Sequence, residues 1–309
     1  MTNRGFQSSG ADSSVSRSIS IDNRDALAAD MPKFPTPSFE ALVSRPDEGL
    51  DIASIALALA ADAYPDLDSG VYLAWLDATA DAVADAADLA MPLPDRLAML
   101  DRQLFEVEGF SGNRDDYFDP RNSFLNDVIE RRTGIPITLS VVYLEVGWRL
   151  GLPLVPVSFP AHFLVASTGA RRVFIDPFNH GARVAPADLV ARLASIAGGP
   201  DQARRFFPQA TAPASRREVA MRILRNLRQI YAKRQDHDRV LAVSNRMVAL
   251  DPNDAAALRD RGHALARLEC YQAAWHDYRH YLRLAPFAED AVDIEARAER
   301  LRPIATRLN

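Results

Sequence analysis

The stretch from residue 134 to residue 153 constrains the fold of this chain more than any other. It opens with Gly134-Ile135-Pro136 and closes with Gly151-Leu152-Pro153. Proline is tolerated in the first turn of a helix, and a glycine followed by a proline ends one. Between these two motifs the apolar residues recur at steps of three and four, which places them on one face: Leu139, Val142, Tyr143, Val146 and Leu150. The pattern predicts a helix that begins at Pro136, buries that face and stops before Gly151.

Short runs of β-branched and aromatic residues follow this helix and predict an antiparallel sheet. They cover residues 155–159, 162–167 and 171–177, and a turn at Thr168-Gly169-Ala170 separates the last two. If Gly169 is the middle of a three-residue loop, Ser167 pairs with Arg171 and equal steps outward place His162 opposite Asp176. An aspartate in that place can orient an imidazole, as it does in catalytic triads. We therefore predict a His162–Asp176 pair that faces the start of the helix.

These motifs resemble the transglutaminase-like (papain-related) core, in which Gly-x-Cys opens a helix, Gly-x-Pro closes it, and His and Asp-Pro follow on strands. The longer strings at residues 109–140 and 159–165 resemble the SirB-type transglutaminase-like proteins, which carry C-terminal tetratricopeptide repeats. One departure is Pro160-Ala161-His162, where that family usually has Pro-Gly-His. The resemblance covers most of residues 34–302. It implies an α+β fold: a helical N-terminal region, the transglutaminase-like helix with its antiparallel sheet, and then an all-α repeat domain.

The departure that bears on function lies at the start of the helix. On the family's pattern Pro136 occupies the position of the nucleophilic cysteine, and the one cysteine of this chain, Cys270, lies far downstream in a repeat. The hydroxyl groups of Thr138 and Ser140 are displaced along the helix from that position, and a hydroxyl nucleophile needs a base within hydrogen-bond reach. We therefore predict a non-catalytic protein that acts in protein–protein interaction or regulation. The alternative is a hydrolase or transamidase that uses the His162–Asp176 pair with water or a Ser/Thr hydroxyl.

The C-terminal third contains an internal repeat. Leu250-Asp251-Pro252 returns as Leu284-Ala285-Pro286, an offset of 34 residues, which is the tetratricopeptide period. We expect two repeats and a closing helix at residues 289–301, with Gly262 and Ala274 at positions where paired helices approach closely. The predicted organisation is a disordered tail at 1–33, a transglutaminase-like domain at 34–200 and a tetratricopeptide-repeat domain at 201–309. Two repeats alone bury little surface, so we expect them to dock on the first domain.

The leading helices of the repeats predict a basic groove. Leu224, Leu227 and Tyr231 mark the packed side of the first one, so the positions between them should face the groove. In the first repeat these positions are Arg222, Arg225, Gln229 and Lys233, and in the second they are Ala256, Arg259, His263 and Arg267. Arginine binds carboxylates with bidentate geometry, so the groove predicts a protein partner with an acidic peptide. The alternative is internal, because residues 1–200 carry the negative charge of a chain whose net charge is −5.

Composition and spacing argue against several other classes of protein. A sequence pI of about 5.7 does not indicate nucleic-acid binding. The longest apolar run, residues 55–61, is far shorter than the roughly 18 residues that a membrane span needs. One cysteine and no export signal predict a cytoplasmic protein. No cofactor motif is present, and we expect no metal site because His276 and His280, four residues apart, have no evident further ligands.

Overall fold

The structure is a computed structural model that describes residues 38–86, 91–169 and 171–305. The predicted disordered tail lies outside the described residues. The helices of the first part are α1 (Phe39–Val43), α2 (Ile52–Ala61), α3 (Ser69–Ala86), α4 (Leu93–Asp101), α5 (Leu125–Arg131), α6 (Pro136–Arg149), α7 (Pro186–Ala197) and α8 (Pro200–Ala210). The repeat helices are α9 (Arg216–Lys233), α10 (His237–Leu250), α11 (Ala255–Arg267), α12 (Tyr271–Leu284) and α13 (Ala291–Ala305). The α+β class with C-terminal repeat helices is confirmed.

Helix α6 is the centre of the first part and has the predicted bounds. It begins at Pro136, its C-cap is Leu150, and Gly151 follows with φ +65°. Its burial is wider than one face, because every side chain from Pro136 to Gly147 is buried. Neighbours surround it: α2, α3, the sheet and α9 all contact it. Among the buried side chains is Glu145, whose carboxylate accepts from the Ala53 N–H at 3.1 Å.

The main sheet has four antiparallel strands in the order β3 (Leu154–Val157), β4 (Leu164–Ser167), β5 (Phe174–Asp176) and β6 (Ala182–Val184). Val165 pairs with Ile175, so the predicted register, with Ser167 opposite Arg171, is wrong by two residues. The loop is longer than three residues because Ser167 bonds to Val173 and not to Arg171. The Ser167 N–H donates to the Val173 carbonyl at 3.0 Å, and the Val173 N–H donates to the Ser167 hydroxyl at 2.9 Å. A shift of two preserves which face each side chain occupies.

One short strand pairing and a second apolar cluster complete the frame around α6 and the sheet. Strands β1 (Ser111–Gly112) and β2 (Thr133–Gly134) are parallel, so residues 111–112 lie beside the chain that enters α6. On the other face of the main sheet, α7 and α8 cover a second apolar cluster: Val157, Phe159, Leu164, Ala166, Phe174, Leu189, Leu193 and Ala203. The sheet is therefore covered by α6 on one face and by α7–α8 on the other.

The repeat helices form two helical pairs and a closing helix, as predicted. Gly262 packs against the ring of Tyr278, where a Cβ atom would lie 2.7 Å from the ring, so only glycine allows this approach. Ala274 is fully buried. Helix α9 packs on the first part: Arg216 and Arg217 donate their backbone N–H groups to the Asp47 carboxylate at 3.1 and 2.8 Å. The expected docking of the repeats on the first domain is confirmed, while the domain boundaries stay a prediction.

Candidate functional site

His162 lies in the turn that leads into β4, two residues before the strand in which it was predicted. The turn runs from Phe159 to His162, and the His162 N–H donates to the Phe159 carbonyl at 3.0 Å. The turn brings the imidazole to the end of β5, where its Nε2 lies 2.9 Å from Oδ2 of Asp176. The two side chains therefore meet although they are not opposite each other in the sheet. His162 remains 17% exposed, whereas Asp176 is buried.

Asp176 is held by three polar neighbours. Besides His162, Asn179 donates from Nδ2 to Oδ2 at 2.7 Å, and an Arg192 guanidinium nitrogen lies 4.0 Å away. Burial alone would raise the pKa of this carboxyl, but His162, Asn179 and Arg192 outweigh burial and lower its pKa below the ordinary value. Oδ1 is buried without a hydrogen-bond partner among the described residues. Asn179 was missed from the sequence; its place in the turn that directly follows Asp176 was the available signal.

Aromatic packing links this pair to the start of α6. The His162 ring meets the Phe178 ring at 87° with centroids 6.2 Å apart. Phe178 in turn packs against Gly112, where a Cβ would lie 2.6 Å from the ring, and Gly112 pairs with Gly134 just before α6. Arg114 lies 5.2 Å above the Phe178 ring and hydrogen-bonds to Asn179. The structure therefore connects the histidine, the aspartate and the helix start through one layer of contacts.

The hydroxyl groups near the start of α6 are buried. The Thr138 hydroxyl donates to the Asn122 carbonyl at 2.7 Å and accepts from the Ile135 N–H at 3.2 Å. Ser140 is 0% exposed, and its hydroxyl has no partner among the described residues. No hydroxyl within the described ranges hydrogen-bonds to the His162 ring, and Cys270 is exposed at the start of α12. Neither Thr138, Ser140 nor Cys270 is therefore hydrogen-bonded to the pair in the described part of the chain.

Two of the predicted groove residues lie near the first part of the chain. The Lys233 ammonium lies 3.5 Å above the Phe118 ring, and the Phe118 carbonyl accepts from Arg234, the next residue, at 3.4 Å. Burial lowers the pKa of Arg222, and the nearby Tyr117 opposes that shift. The loop at residues 117–118 therefore lies beside two of the four predicted groove positions of the first repeat.

The other predicted groove residues lie against the repeats themselves. Arg225 pairs with Asp254 at 2.9 Å and Arg259 with Asp290 at 2.8 Å. His263 Nδ1 lies 2.8 Å from the Tyr278 hydroxyl, and burial lowers the pKa of this histidine. Arg267 is exposed. The basic positions are thus partly neutralised by aspartates on neighbouring turns of the repeats.

No group of three or more His, Cys, Asp or Glu side chains is arranged to hold a metal ion in the part of the chain that is described. Across the same residues, no helix has both the length and the apolar character needed to cross a membrane.

Comparison with known proteins agrees with this architecture. Residues 71–225 match the model of the transglutaminase-like superfamily, and residues 227–302 match a tetratricopeptide-repeat model. A UPF0162 protein of Xylella fastidiosa is 40% identical over 251 residues, which are 81% of this chain and 89% of the relative. A UPF0162 protein of Pseudomonas aeruginosa is 28% identical over 252 residues, 82% and 91% of the two chains.

Another similarity covers only a short segment. F-box only protein 21 of Homo sapiens is 44% identical over 78 residues, 25% of this chain and 12% of that protein. The long matches, not this one, determine the family. The chain belongs to the SirB-type UPF0162 family, in which a transglutaminase-like domain precedes tetratricopeptide repeats.

Proposed function

We propose that this protein is a cytoplasmic, non-catalytic transglutaminase-like protein that acts by binding another protein through its repeats. The observation that carries the proposal is the start of α6, where Pro136 stands at the position that the family resemblance gives to the nucleophilic cysteine. Proline offers no nucleophile. Tetratricopeptide repeats supply extended surfaces for protein binding, which supports the interaction role.

The side chains around the pair support a structural role for it. A hydroxyl nucleophile must lie about 3 Å from its base. The Thr138 hydroxyl is instead used to tie the start of α6 to the Asn122 carbonyl, and Ser140 is enclosed in the core. We assign His162 and Asp176 the task of holding the turn at residues 159–162 against the end of β5. The competing function is hydrolysis or transamidation, with His162 activating a water molecule.

We further propose that the partner presents an acidic segment to Arg225 and Arg267. Arg267 is exposed, and Arg225 is 55% exposed although it pairs with Asp254. Asp254 is buried on its side of this pair, but the Arg225 guanidinium has further N–H donors open to solvent, so an incoming carboxylate can reach Arg225 without displacing Asp254. Arg259 is a weaker candidate because it is held by both Asp260 and Asp290.

Charge reversal tests the partner. The Arg225→Glu/Arg267→Glu variant should stay folded, with a melting temperature lowered only by the loss of the Arg225–Asp254 pair, and should lose a salt-sensitive protein that co-purifies with the wild type. The matched control is Arg279→Glu/Arg283→Glu, which reverses two exposed arginines on α12. Equal recovery of the same protein by both variants would refute the acidic-segment proposal.

Enzyme assays test the non-catalytic part separately. Purified protein should show no transamidation of glutamine peptides with an amine and no hydrolysis of activated esters. Cys270→Ala and His162→Ala variants serve as controls. Turnover that persists in Cys270→Ala and disappears in a folded His162→Ala variant would replace this proposal with the hydrolase or transamidase alternative.

A further inference from the structure

An acidic cleft lies on the first part of the molecule, apart from the groove and from the His162–Asp176 pair. Its volume is about 480 Å³, within the range of small-ligand sites. It opens between helix α5, the first turns of α3 and the turn that joins α2 to α3. The carboxylates on its wall are Asp66, Asp68, Asp127 and Glu130, and no lysine or arginine is among the described residues that line it.

Two tyrosines hold the carboxylates on the α5 side. The Tyr64 hydroxyl donates to Oδ2 of Asp127 at 2.6 Å, and the Tyr72 hydroxyl donates to Oε1 of Glu130 at 2.5 Å. Asp127 and Glu130 are three residues apart, so they lie on the same face of α5. Burial and the neighbouring Asp127 raise the pKa of Tyr64 to about 12, so this hydroxyl stays a donor at neutral pH. Donation to a carboxylate favours its charged form.

Asn126 provides a separate sign of a ligand. It is 3% exposed and lines the same cleft, and its Oδ1 is buried without a hydrogen-bond partner among the described residues. A buried acceptor without a donor is destabilising, so native proteins rarely leave one unpaired. A ligand with N–H groups would satisfy this oxygen.

The nearest guanidinium groups do not fill the cleft. Arg121 and Arg131 influence the charge of Asp127, but both are bound to Asp119, at 2.7 and 3.7 Å. Burial raises the pKa of Asp127, and its neighbours only partly offset this. The positive neighbours of Asp127 therefore offset its burial only in part. A cation that entered the cleft would stabilise the charged form of this carboxylate.

We propose that this cleft binds a primary alkylammonium group, either that of a free aliphatic amine or that of a lysine side chain on another protein. An ammonium has three N–H donors, and Asn126, Asp127 and Glu130 supply three acceptors. The alkyl stem would lie against the apolar wall formed by Leu67 and Val71. The proposal goes beyond the repeat-mediated function and does not depend on it.

Calorimetric titration with defined probes tests the site. Butylammonium and acetyl-lysine-methylamide should each bind at one saturable site, more weakly as salt is raised, and the uncharged acetyl-norleucine-methylamide should not bind. Glu130→Gln should weaken the affinity for both cations by roughly tenfold or more, because it removes a charge-assisted hydrogen bond. The matched control is Asp85→Asn, which removes an exposed carboxylate of α3 outside the cleft and should leave the affinity unchanged.

A second variant separates a loss of binding from a loss of folding. Asn126→Leu removes the unpaired oxygen, so it should fold at least as stably as the wild type while binding butylammonium more weakly. Tighter binding of acetyl-lysine-methylamide than of butylammonium would identify a protein lysine as the source, and the reverse order would identify a free amine. Absence of saturable binding, wild-type affinity in Asn126→Leu, or equal losses in Glu130→Gln and Asp85→Asn would overturn the proposal.

Discussion

Ala161 adopts a backbone conformation that glycine would adopt at lower cost. Its φ is +57°, in the left-handed region, and the preceding Pro160 makes the turn one that favours glycine at this position. The left-handed conformation costs a residue with a Cβ about 1 to 2 kcal/mol. Glycine's greater freedom in the unfolded chain offsets part of the gain. We expect Ala161→Gly to stabilise the protein by about 0.5 kcal/mol, measured by urea unfolding.

The control for this prediction is Ala296→Gly. Ala296 is exposed in the interior of helix α13, where glycine should destabilise by about 1 kcal/mol. Changes of opposite sign in the free energy of unfolding would support the argument that the left-handed backbone at Ala161 is strained. A destabilised Ala161→Gly variant would show that the turn tolerates alanine without strain.

Asp176 should make the stability of the protein depend on pH in the acidic range. Its pKa in the folded state is below the unfolded value of about 4. The stabilisation is therefore fully present above that value and is lost as the pH falls through the folded-state pKa. Asp176→Asn should be less stable than the wild type by about 1 to 3 kcal/mol at pH 7, and the difference should shrink toward pH 3. Urea unfolding across this range measures it; Asp81→Asn, at an exposed position, provides the comparison.

The contact between His162 and Asp176 was predictable from the sequence, but the strand register and the turn that produce it were not. The predicted register is off by two residues, which keeps both side chains on the expected face. The loop between β4 and β5 is longer than predicted because Val173 and Ser167 are hydrogen-bonded. Neither residue type indicates that bond in the sequence. Asn179 and Arg192 complete the surroundings of Asp176 from a turn and a helix whose packing sequence patterns do not specify.

At the scale of the element, helix α6 shows which features sequence patterns determine. Pro136 and Gly151 predicted its ends correctly because first-turn prolines and terminal glycines act locally. The apolar spacing predicted one buried face, yet the helix is enclosed on all sides. Glu145 could not be expected in a core from its residue type, and it is tolerated because Ala53 and Arg149 supply donors.

The hydroxyl groups of α6 give a matched pair of substitutions. Thr138→Val removes a hydroxyl that bonds to both Asn122 and Ile135, so it should destabilise by about 1 to 3 kcal/mol. Ser140→Ala removes a hydroxyl that has no partner among the described residues, so it should be neutral or stabilising. Chemical unfolding compares them. A large loss of stability in Ser140→Ala would show that this hydroxyl makes a stabilising hydrogen bond and would contradict the prediction.

At the scale of the whole molecule, the sequence predicted the repeats and their docking but not the partners of their charges. Counting charges showed that the first part is acidic and the repeats are basic. It could not show that Arg246, on the second helix of the first repeat, would reach Asp62, at 2.7 Å, or that residues 117–118 would lie at Arg222 and Lys233. These neighbours are far apart in sequence and depend on the packing of both α9 and α10 against the first part of the chain.

The boundary between the apolar cores does not coincide with the predicted domain boundary, because it falls between the two repeats. One cluster runs from Phe39 through α6 to the first repeat, and Leu224 belongs to it. A separate cluster lies within the second repeat and α13, and Leu258 belongs to that one. Leu224 and Leu258 occupy equivalent positions in the two repeats, and both are buried. The same substitution at the two positions should therefore destabilise two different parts of the molecule.

We expect Leu224→Ala to lower the main unfolding transition, because it weakens the core that joins the first part to the first repeat. Leu258→Ala should instead produce an earlier transition in which α12 and α13 unfold while the remainder stays folded. Each change should cost about 2 to 5 kcal/mol, typical of a buried leucine. Calorimetry combined with hydrogen exchange over residues 271–305 distinguishes the two. If Leu258→Ala lowers the main transition as much as Leu224→Ala does, with no early exchange in those helices, the two clusters unfold as one cooperative unit.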